Sequence, residues 1–423
     1  MQENIIASVD FGSKKLSASL AAKNEQEEIE ILGVKSCKSK GIEKGLIKDI
    51  NKCRESLKSI LKDLEDKTGK KIKNVSAGIS ARKVRITEAT VSVPLLEGRV
   101  REEDILEAFK KSKKSITITN DELVIDTIVN FYILDGKVLH RDILNWKGNN
   151  LDLNLTLVIG KNEEIVKYYE IFKDTDYKLF SLKVNILSGK EIFLNENNSI
   201  GEKVLVDIGA ATTDIAVFSN GIPKYIGNIP LGGNNISKDL AICGELSFSE
   251  ADNIKTIYSS NYETLYKDDS ILDQIDVGTL KMSKSLFYEV TNARIEEILN
   301  YVNRELKNTG HYNRICSIIL YGTGLNYFEN ISRLVNDIFK IKTKVITKDD
   351  LGIKNPENIT SLAVVKEVYD GINLYCYNHK NLIEVNDVVI NKNINESEKL
   401  DEYEEKKLKS VLKKVRNFLE GIF

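Results

Sequence analysis

Two short stretches of this 423-residue chain set a glycine two positions after an aspartate and then turn through small or polar residues. They are Asp10-Phe11-Gly12-Ser13-Lys14-Lys15 and Asp207-Ile208-Gly209-Ala210-Ala211-Thr212-Thr213. A strand that ends in Asp-x-Gly and turns tightly exposes backbone N–H groups that can cradle a phosphate, while its carboxylate can hold a hydrated magnesium ion. One such turn is commonly an ordinary β-turn. Two related copies, about two hundred residues apart and facing each other across a cleft, would clamp the phosphate tail of a nucleotide. A third glycine turn, Gly322-Thr323-Gly324, would let backbone approach the base and sugar.

The elements that must position these turns alternate between strand and helix signals, which argues for an α/β architecture. Strands over 5–9 and 16–21 flank the first turn as a hairpin, and strands over 204–209 and 214–218 flank the second. A repeated β-turn-β device means two related lobes. A helix over 52–67 and a strand over 74–79 follow the first hairpin. From about 81 to 160 the pattern becomes a compact α+β unit, with strands over 84–93, 122–134 and 151–159 and a helix from 101 to 113; a helix over 163–173 leads onward. Late in the chain an apolar strand over 315–320 runs into the third glycine turn, which opens onto a helix over 327–339.

Composition narrows the function classes. With 61 basic against 63 acidic residues, no global field favours nucleic acid. Cys37, Cys53, Cys243, Cys316 and Cys376 lack CxxC spacing, and His140, His311 and His379 are isolated, so neither a disulfide framework nor a metal cluster is indicated. That pattern fits a reducing cytoplasm. The N-terminus runs straight into a strand pattern without the basic and apolar regions of a signal peptide.

The basic excess is concentrated at the C-terminus. Over 405–423, Leu408, Val411, Leu412, Val415, Phe418, Leu419, Ile422 and Phe423 recur at spacings of three and four, placing them on one helical face. Lys406, Lys407, Lys409, Lys413, Lys414 and Arg416 fall around the other. Such a helix can lie in a membrane interface, and it is too short and too charged to span one. Residues 391–404 are polar and acidic and read as a flexible tether, able to reach roughly 45–50 Å when extended.

These motifs resemble the actin, hexokinase and heat-shock ATPase superfamily and, within it, the bacterial cell-division FtsA family. The two Asp-x-Gly turns resemble its phosphate loops, 188–194 (SGKEIFL) its connecting helix, Ile229-Pro230-Leu231-Gly232-Gly233 the segment after the second hairpin, and 249–255 (SEADNIK) its nucleotide-contacting helix. Residues 293–299 (ARIEEIL) match a helix characteristic of the family, and 319–325 its adenosine loop. The resemblance implies an actin-like two-lobed fold of duplicated ribonuclease H-like domains. Its parts would be a first lobe over 1–80 and 163–190, an FtsA-type insert over 81–162, a second lobe over 191–232 and 311–390, a subdomain over 233–310, a linker over 391–404 and a membrane-targeting helix over 405–423.

It further implies ATP held by Asp10, Gly12, Ser13, Lys14, Lys15, Asp207, Gly209, Ala210, Ala211, Thr212, Thr213, Gly232, Gly233, Asp252, Lys255, Gly322, Thr323 and Gly324. Mg2+ would be bound through water by Asp10 and Asp207. Glu191 occupies the place of a water-orienting residue, or else is a helical surface glutamate. Lys15 sits where the family has a lysine and either reaches a phosphate oxygen or is a solvated turn residue. Ala210 and Ala211 stand where glycines are usual: a Cβ there is strained if φ is positive, and takes space beside the phosphates even if it is not. Hydrolysis is therefore expected to be slow or absent.

The implied partners are other copies of the chain in filaments, the C-terminal tail of FtsZ at the 233–310 subdomain, anionic lipids of the cytoplasmic membrane, and later divisome proteins. A pilus-assembly scaffold resembling PilM and a small-molecule kinase of the same superfamily are the competing readings. Neither gives a reason for the tethered basic helix.

Overall fold

The computed structural model describes residues 5–23, 28–140, 143–194, 201–259, 274–277, 280–325, 328, 331–346 and 358–373. The expected tether and terminal amphipathic helix lie outside them. Among the described residues no helix is long and apolar enough to cross a membrane.

The chain begins with a meander of β1 (Ile5–Phe11), β2 (Lys15–Lys23) and β3 (Ile29–Lys38), followed by a short hairpin of β4 (Ile42–Glu43) and β5 (Leu46–Ile47). Helix α1 (Ile50–Thr68) comes next. Asp49 caps its start by accepting from the Lys52 N–H at 3.0 Å, and Gly69 ends it in the left-handed conformation with φ 70°. Cys53, Leu57, Ile60, Leu61 and Leu64 form its buried stripe, laid on the sheet that β6 (Asn74–Ile79) joins.

A second sheet follows, with β7 (Val84–Pro94), α2 (Glu102–Ser115), β8 (Glu122–Leu134), β9 (Lys137–Leu139) and β10 (Asn150–Lys161). Its order is β7-β10-β8-β9, all antiparallel. Along β7 the buried residues Ala89, Val91 and Val93 alternate with exposed ones, so a slip of one residue would turn the whole set to water. Ile105, Ala108, Phe109 and Ser112 of α2 cover that apolar face, giving this unit its own core.

Helix α3 (Asn162–Phe172) and strand β11 (Lys178–Val184) return the chain to the first sheet. Two helical turns follow, α4 (Asn185–Ser188) and α5 (Lys190–Phe193), where the sequence suggested one connecting helix. The break is at Gly189, packed so closely that a Cβ there would lie 2.7 Å from the Tyr321 hydroxyl.

The next elements are β12 (Glu202–Ile208), β13 (Thr213–Ser219), β14 (Ile222–Ile229), α6 (Gly233–Cys243) and α7 (Phe248–Tyr258). Then come β15 (Gln274–Val277), β16 (Leu280–Ser283) and α8 (Lys284–Asn308). The chain continues through β17 (Ile315–Tyr321), α9 (Ser332–Phe339), β18 (Thr343–Val345) and α10 (Ile359–Asn373). Helix α9 starts five residues later than the 327–339 expected after the glycine turn, with Ile331 as its cap residue.

The two large sheets have one topology. Their orders are β11-β6-β1-β2-β3 and β14-β13-β12-β17-β18. Each has an antiparallel meander whose first strand pairs in parallel with a later one. The registers agree as well: Asp10 lies opposite Ser17 and Gly78, and Asp207 lies opposite Asp214 and Tyr321. This is a mixed α/β actin-like fold with two mixed sheets, and the repeat seen in the sequence is a repeat of strand order and pairing.

Candidate functional site

Asp10 and Asp207 occupy matching positions near the ends of β1 and β12, and the turns that follow them face one another. Between them lies a cavity of about 360 Å³. Of the residues singled out from the sequence, Asp10, Gly12, Ser13, Lys14, Lys15, Asp207, Gly209, Ala210, Ala211, Thr212, Gly233, Lys255, Gly322 and Thr323 line it. Thr213, Gly232, Asp252 and Gly324 do not; they hold the residues that do. Thr213 Oγ1 donates to the Leu231 carbonyl at 2.9 Å.

The glycines are explained largely by backbone meeting backbone. The N–H groups of Gly324, Gly233 and Asn234 donate to the carbonyls of Ile208, Gly209 and Ala210 at 2.7, 2.9 and 2.6 Å. A Cβ on Gly324 would sit 2.6 Å from the Gly209 oxygen, and one on Gly233 2.8 Å from Gly324 Cα. Three chain segments are thus knitted into one cradle. Gly322 has φ 103°, and a Cβ there would overlap Asp207 Oδ1. Ala210 and Ala211 are not among the described residues with positive φ, so their methyl groups cost space at the wall and no backbone strain.

Among the polar residues of this wall that sequence reasoning missed are Ser80, Asn185, Asp214 and Tyr321. Asn185 Nδ2 donates to Asp10 Oδ1 at 2.7 Å. Asp214, buried on the second lobe, accepts from Ser80 Oγ and the Ala81 N–H of the first lobe, each at 3.1 Å, and from Asn228 Nδ2 at 2.5 Å. It clamps the two lobes at the floor of the cleft. The Asp-x-Gly pattern carried no signal for Asn185, which starts a helical turn far along the chain. Asp214 was within reach, since a charged residue inside an otherwise apolar strand is costly unless it is used.

Electrostatics concentrate here. Burial pushes the Asp10 carboxyl up to about 6; the Asn185 hydrogen bond and Lys15 oppose this, while Asp214 adds to it. Burial, with Asp214 and Asp10 nearby, raises Asp207 well above the carboxylate range, and burial raises Asp214 too. Three carboxyls crowded in one low-dielectric cleft favour a cation. Two orphaned atoms point the same way: Asn185 Oδ1 and the Tyr321 hydroxyl are buried without a partner at this wall. Among the described residues no three Asp, Glu, His or Cys side chains converge as a metal cage, so a hard cation bound here takes its remaining oxygens from water or a ligand.

On the opposite wall Lys255 is a buried cation of α7. Its ammonium donates to Gly233 O at 3.0 Å, Ser237 Oγ at 2.7 Å and Asp252 Oδ1 at 2.9 Å, and burial lowers its pKa. Burial opposes ionisation of Asp252, but Lys255 beside it and hydrogen bonds from Lys14, Lys255 and Ser237 hold its carboxyl well below the usual range. Glu191 stands apart. It lies on α5 outside the cavity lining, its carboxylate 3.5 Å from Lys190 and its backbone carbonyl taking a hydrogen bond from Lys366. Burial raises its pKa.

Comparison with known proteins points to one family. The family described as "Cell division protein FtsA" matches residues 204–363. The chain is 25% identical over 374 residues to the cell division protein FtsA of Neisseria meningitidis serogroup B, covering 86% of this chain and 90% of that protein. It is 24% identical over 367 residues to the one from Bacillus subtilis, covering 86% and 83%. Among solved structures, the PilM-PilN type IV pilus biogenesis complex contains a chain with a similar fold, at a TM-score of 0.59 and 13% identity over 86% of this chain and 98% of that one. With matches spread over most of its length, the chain is a homologue of the cell division protein FtsA.

Proposed function

We propose that this chain binds ATP with Mg2+ in the interlobe cleft, assembles into filaments and ties FtsZ filaments to the cytoplasmic membrane, where it recruits later division proteins. The observation that carries the nucleotide reading is the convergence of Asp10 and Asp207, matched in register, on one cavity with unsatisfied polar walls. Asp10 and Asp207 would hold the cation through water, and the turns at 12–15 and 209–212 would take the phosphates on backbone N–H groups. The cation neutralises phosphate charge when bound. Asn185 orients Asp10, Asp214 keeps the lobes together beneath the ligand, and Lys255 fixes the second-lobe wall.

Hydrolysis is slow or absent in this reading, because Glu191 lies outside the cavity wall and the methyl groups of Ala210 and Ala211 crowd the phosphate side. ATP then acts by holding the lobes in one arrangement that favours polymer. The membrane part rests on the sequence of 405–423. FtsZ-tail binding by the 233–310 subdomain and the divisome role rest on the homology to FtsA. The fold likeness to PilM does not favour the scaffold reading over this one.

Two measurements test the proposal. Binding of a fluorescent ATP analogue should require Mg2+ and be lost on Asp207→Asn; equal binding by the variant removes the nucleotide reading. Liposomes containing anionic lipid should sediment the full chain and leave a form truncated at Asn391 in solution. Replacing Phe418 and Leu419 by glutamate should have the effect of the truncation, and retained membrane binding would refute the anchor.

A further inference from the structure

The turn between β4 and β5 is a partition. Both of its central residues have positive φ, 47° at Lys44 and 74° at Gly45, which suits a two-residue hairpin. The Gly45 N–H donates to Ser13 Oγ at 2.9 Å, and a Cβ on Gly45 would lie 2.9 Å from Ser80 Oγ and 3.5 Å from Thr212 Cγ2. The hairpin tip therefore leans on both aspartate turns. Gly45 faces the cleft, and Lys44 borders a second cavity of about 360 Å³ on the far side. Ser13, Ala211 and Asn234 belong to both walls.

The second cavity has its own charge. Lys44, Lys48 and Arg82 from the first-lobe side and Lys238 from α6 line it, against a single acid, Glu43. In a chain whose net charge is −2, four cations to one anion around one hollow is a local reversal of sign. Among the described residues none of the four is paired with a carboxylate; Arg82 instead donates from Nη1 to the Lys44 carbonyl at 2.5 Å, which ties the insert's first residues to the hairpin. Cations that converge without counter-ions repel one another, and an anion relieves the repulsion. The buried, unpartnered Asn234 Oδ1 at the shared wall offers an acceptor to a protonated oxyanion, which carries an O–H donor.

We propose that this hollow is a second oxyanion site, separate from the nucleotide cleft, which takes a small tetrahedral anion of the inorganic phosphate type and, by bridging Lys44 and Lys48 to Lys238, draws the two lobes together. It goes beyond the nucleotide reading and does not depend on it. Because three of the four cations are exposed lysines, the site is open to solvent and its affinity is modest and salt-dependent.

The test is titration of the full chain with inorganic phosphate, followed by calorimetry or 31P NMR, at low and high ionic strength. Wild type should bind phosphate, more weakly as salt rises, and saturating Mg2+–ATP should leave that binding in place. Lys44→Glu combined with Lys238→Glu should weaken phosphate by about tenfold or more while the melting temperature and ATP-analogue binding stay near wild type. If the reversals disturb folding, Lys44→Gln with Lys238→Gln serves in their place. Equal phosphate affinity in the variant, no phosphate binding by wild type, or complete displacement of phosphate by ATP would each overturn the proposal, the last by placing the anion in the cleft. Should ATP fail to bind at all, the nucleotide reading fails, and the comparison of wild type with variant still decides the second site.

Discussion

Lys14, in the first turn, reaches across the mouth of the cleft to Asp252 on α7, with its ammonium 2.6 Å from the carboxylate. The same carboxylate holds Lys255 from within. One aspartate thus serves an exposed cation from one lobe and a buried cation from the other.

The two partners should respond differently to removal. Lys14 is half exposed, so Lys14→Ala should cost no more than about 1 kcal/mol. Asp252→Ala leaves the Lys255 ammonium inside the protein with only Ser237 Oγ and the Gly233 carbonyl, and should cost about 3 kcal/mol. Urea unfolding measures both. Equal losses would mean that Asp252 does not stabilise Lys255.

Lys183 on β11 is a buried cation with two carboxylates, Asp126 of β8 at 2.7 Å and Glu367 of α10 at 3.2 Å. Glu367 also accepts from Ser188 Oγ at 2.5 Å. Three parts of the chain meet there: the inserted sheet, the first sheet and the late helix. Lys183→Met should destabilise by about 3–5 kcal/mol, because it strands the buried Asp126 carboxylate and the half-buried one of Glu367. Adding Asp126→Asn and Glu367→Gln should recover much of that loss. A single variant within about 1 kcal/mol of wild type would contradict this account.

The Asp10 carboxyl titrates at about 6 in the fold against 3.8 for the ordinary side chain. The folded protein therefore holds the proton more tightly than the unfolded chain. This group's contribution to stability is fully present below about 3.8 and is lost as the pH rises through about 6. Without nucleotide or Mg2+, Asp10→Asn should stabilise the protein at pH 7.5 by on the order of 1–2 kcal/mol and flatten the pH dependence between 4 and 6.5. The same substitution should weaken Mg2+-dependent nucleotide binding. Thermal melts across that pH range provide the measurement, and an unchanged or lower melting temperature at pH 7.5 would count against the assigned cause.

Gly322 and Ala211 give opposite expectations despite lining the same cavity. Gly322→Ala adds a methyl group where Asp207 Oδ1 already stands, on a backbone at φ 103°, so it should cost more than about 2 kcal/mol and abolish nucleotide binding. Ala211→Gly removes a methyl from an ordinary conformation and should leave the fold within about 1 kcal/mol of wild type. Nucleotide affinity unchanged by Gly322→Ala would show that Asp207 does not set it.

What the sequence made legible was whatever local pattern encodes. The Asp-x-Gly turns at 10 and 207 stood out because apolar strand runs flank them and the device repeats. The parts that were not legible depend on contacts distant in sequence. Asn185 reaches Asp10 from a helical turn, and Ser80 reaches Asp214 from the other lobe. Gly189 stands between the two helical turns because Tyr321 occupies the space that a side chain there would need. The late start of α9 has a similar lesson: a glycine turn in the sequence does not fix the first turn of the helix that follows it. Gly232 and Gly324, taken from the sequence as ligand contacts, spend their missing side chains on backbone approach instead.

The two meanders match strand for strand, yet one matched position differs in kind. Opposite Asp10 stands Ser17, and opposite Asp207 stands Asp214. Duplication supplied a scaffold close to twofold, and the hydroxyl-for-carboxylate difference, with Gly78 beside Asp10 against Tyr321 beside Asp207, breaks it. One bank of the cleft pairs two carboxyl groups where the other pairs a carboxyl with a hydroxyl, so a half-turn of any guest that is charged at one end and flat at the other is not an equivalent pose. The repeat builds the room, and its imperfection tells the occupant which way to face.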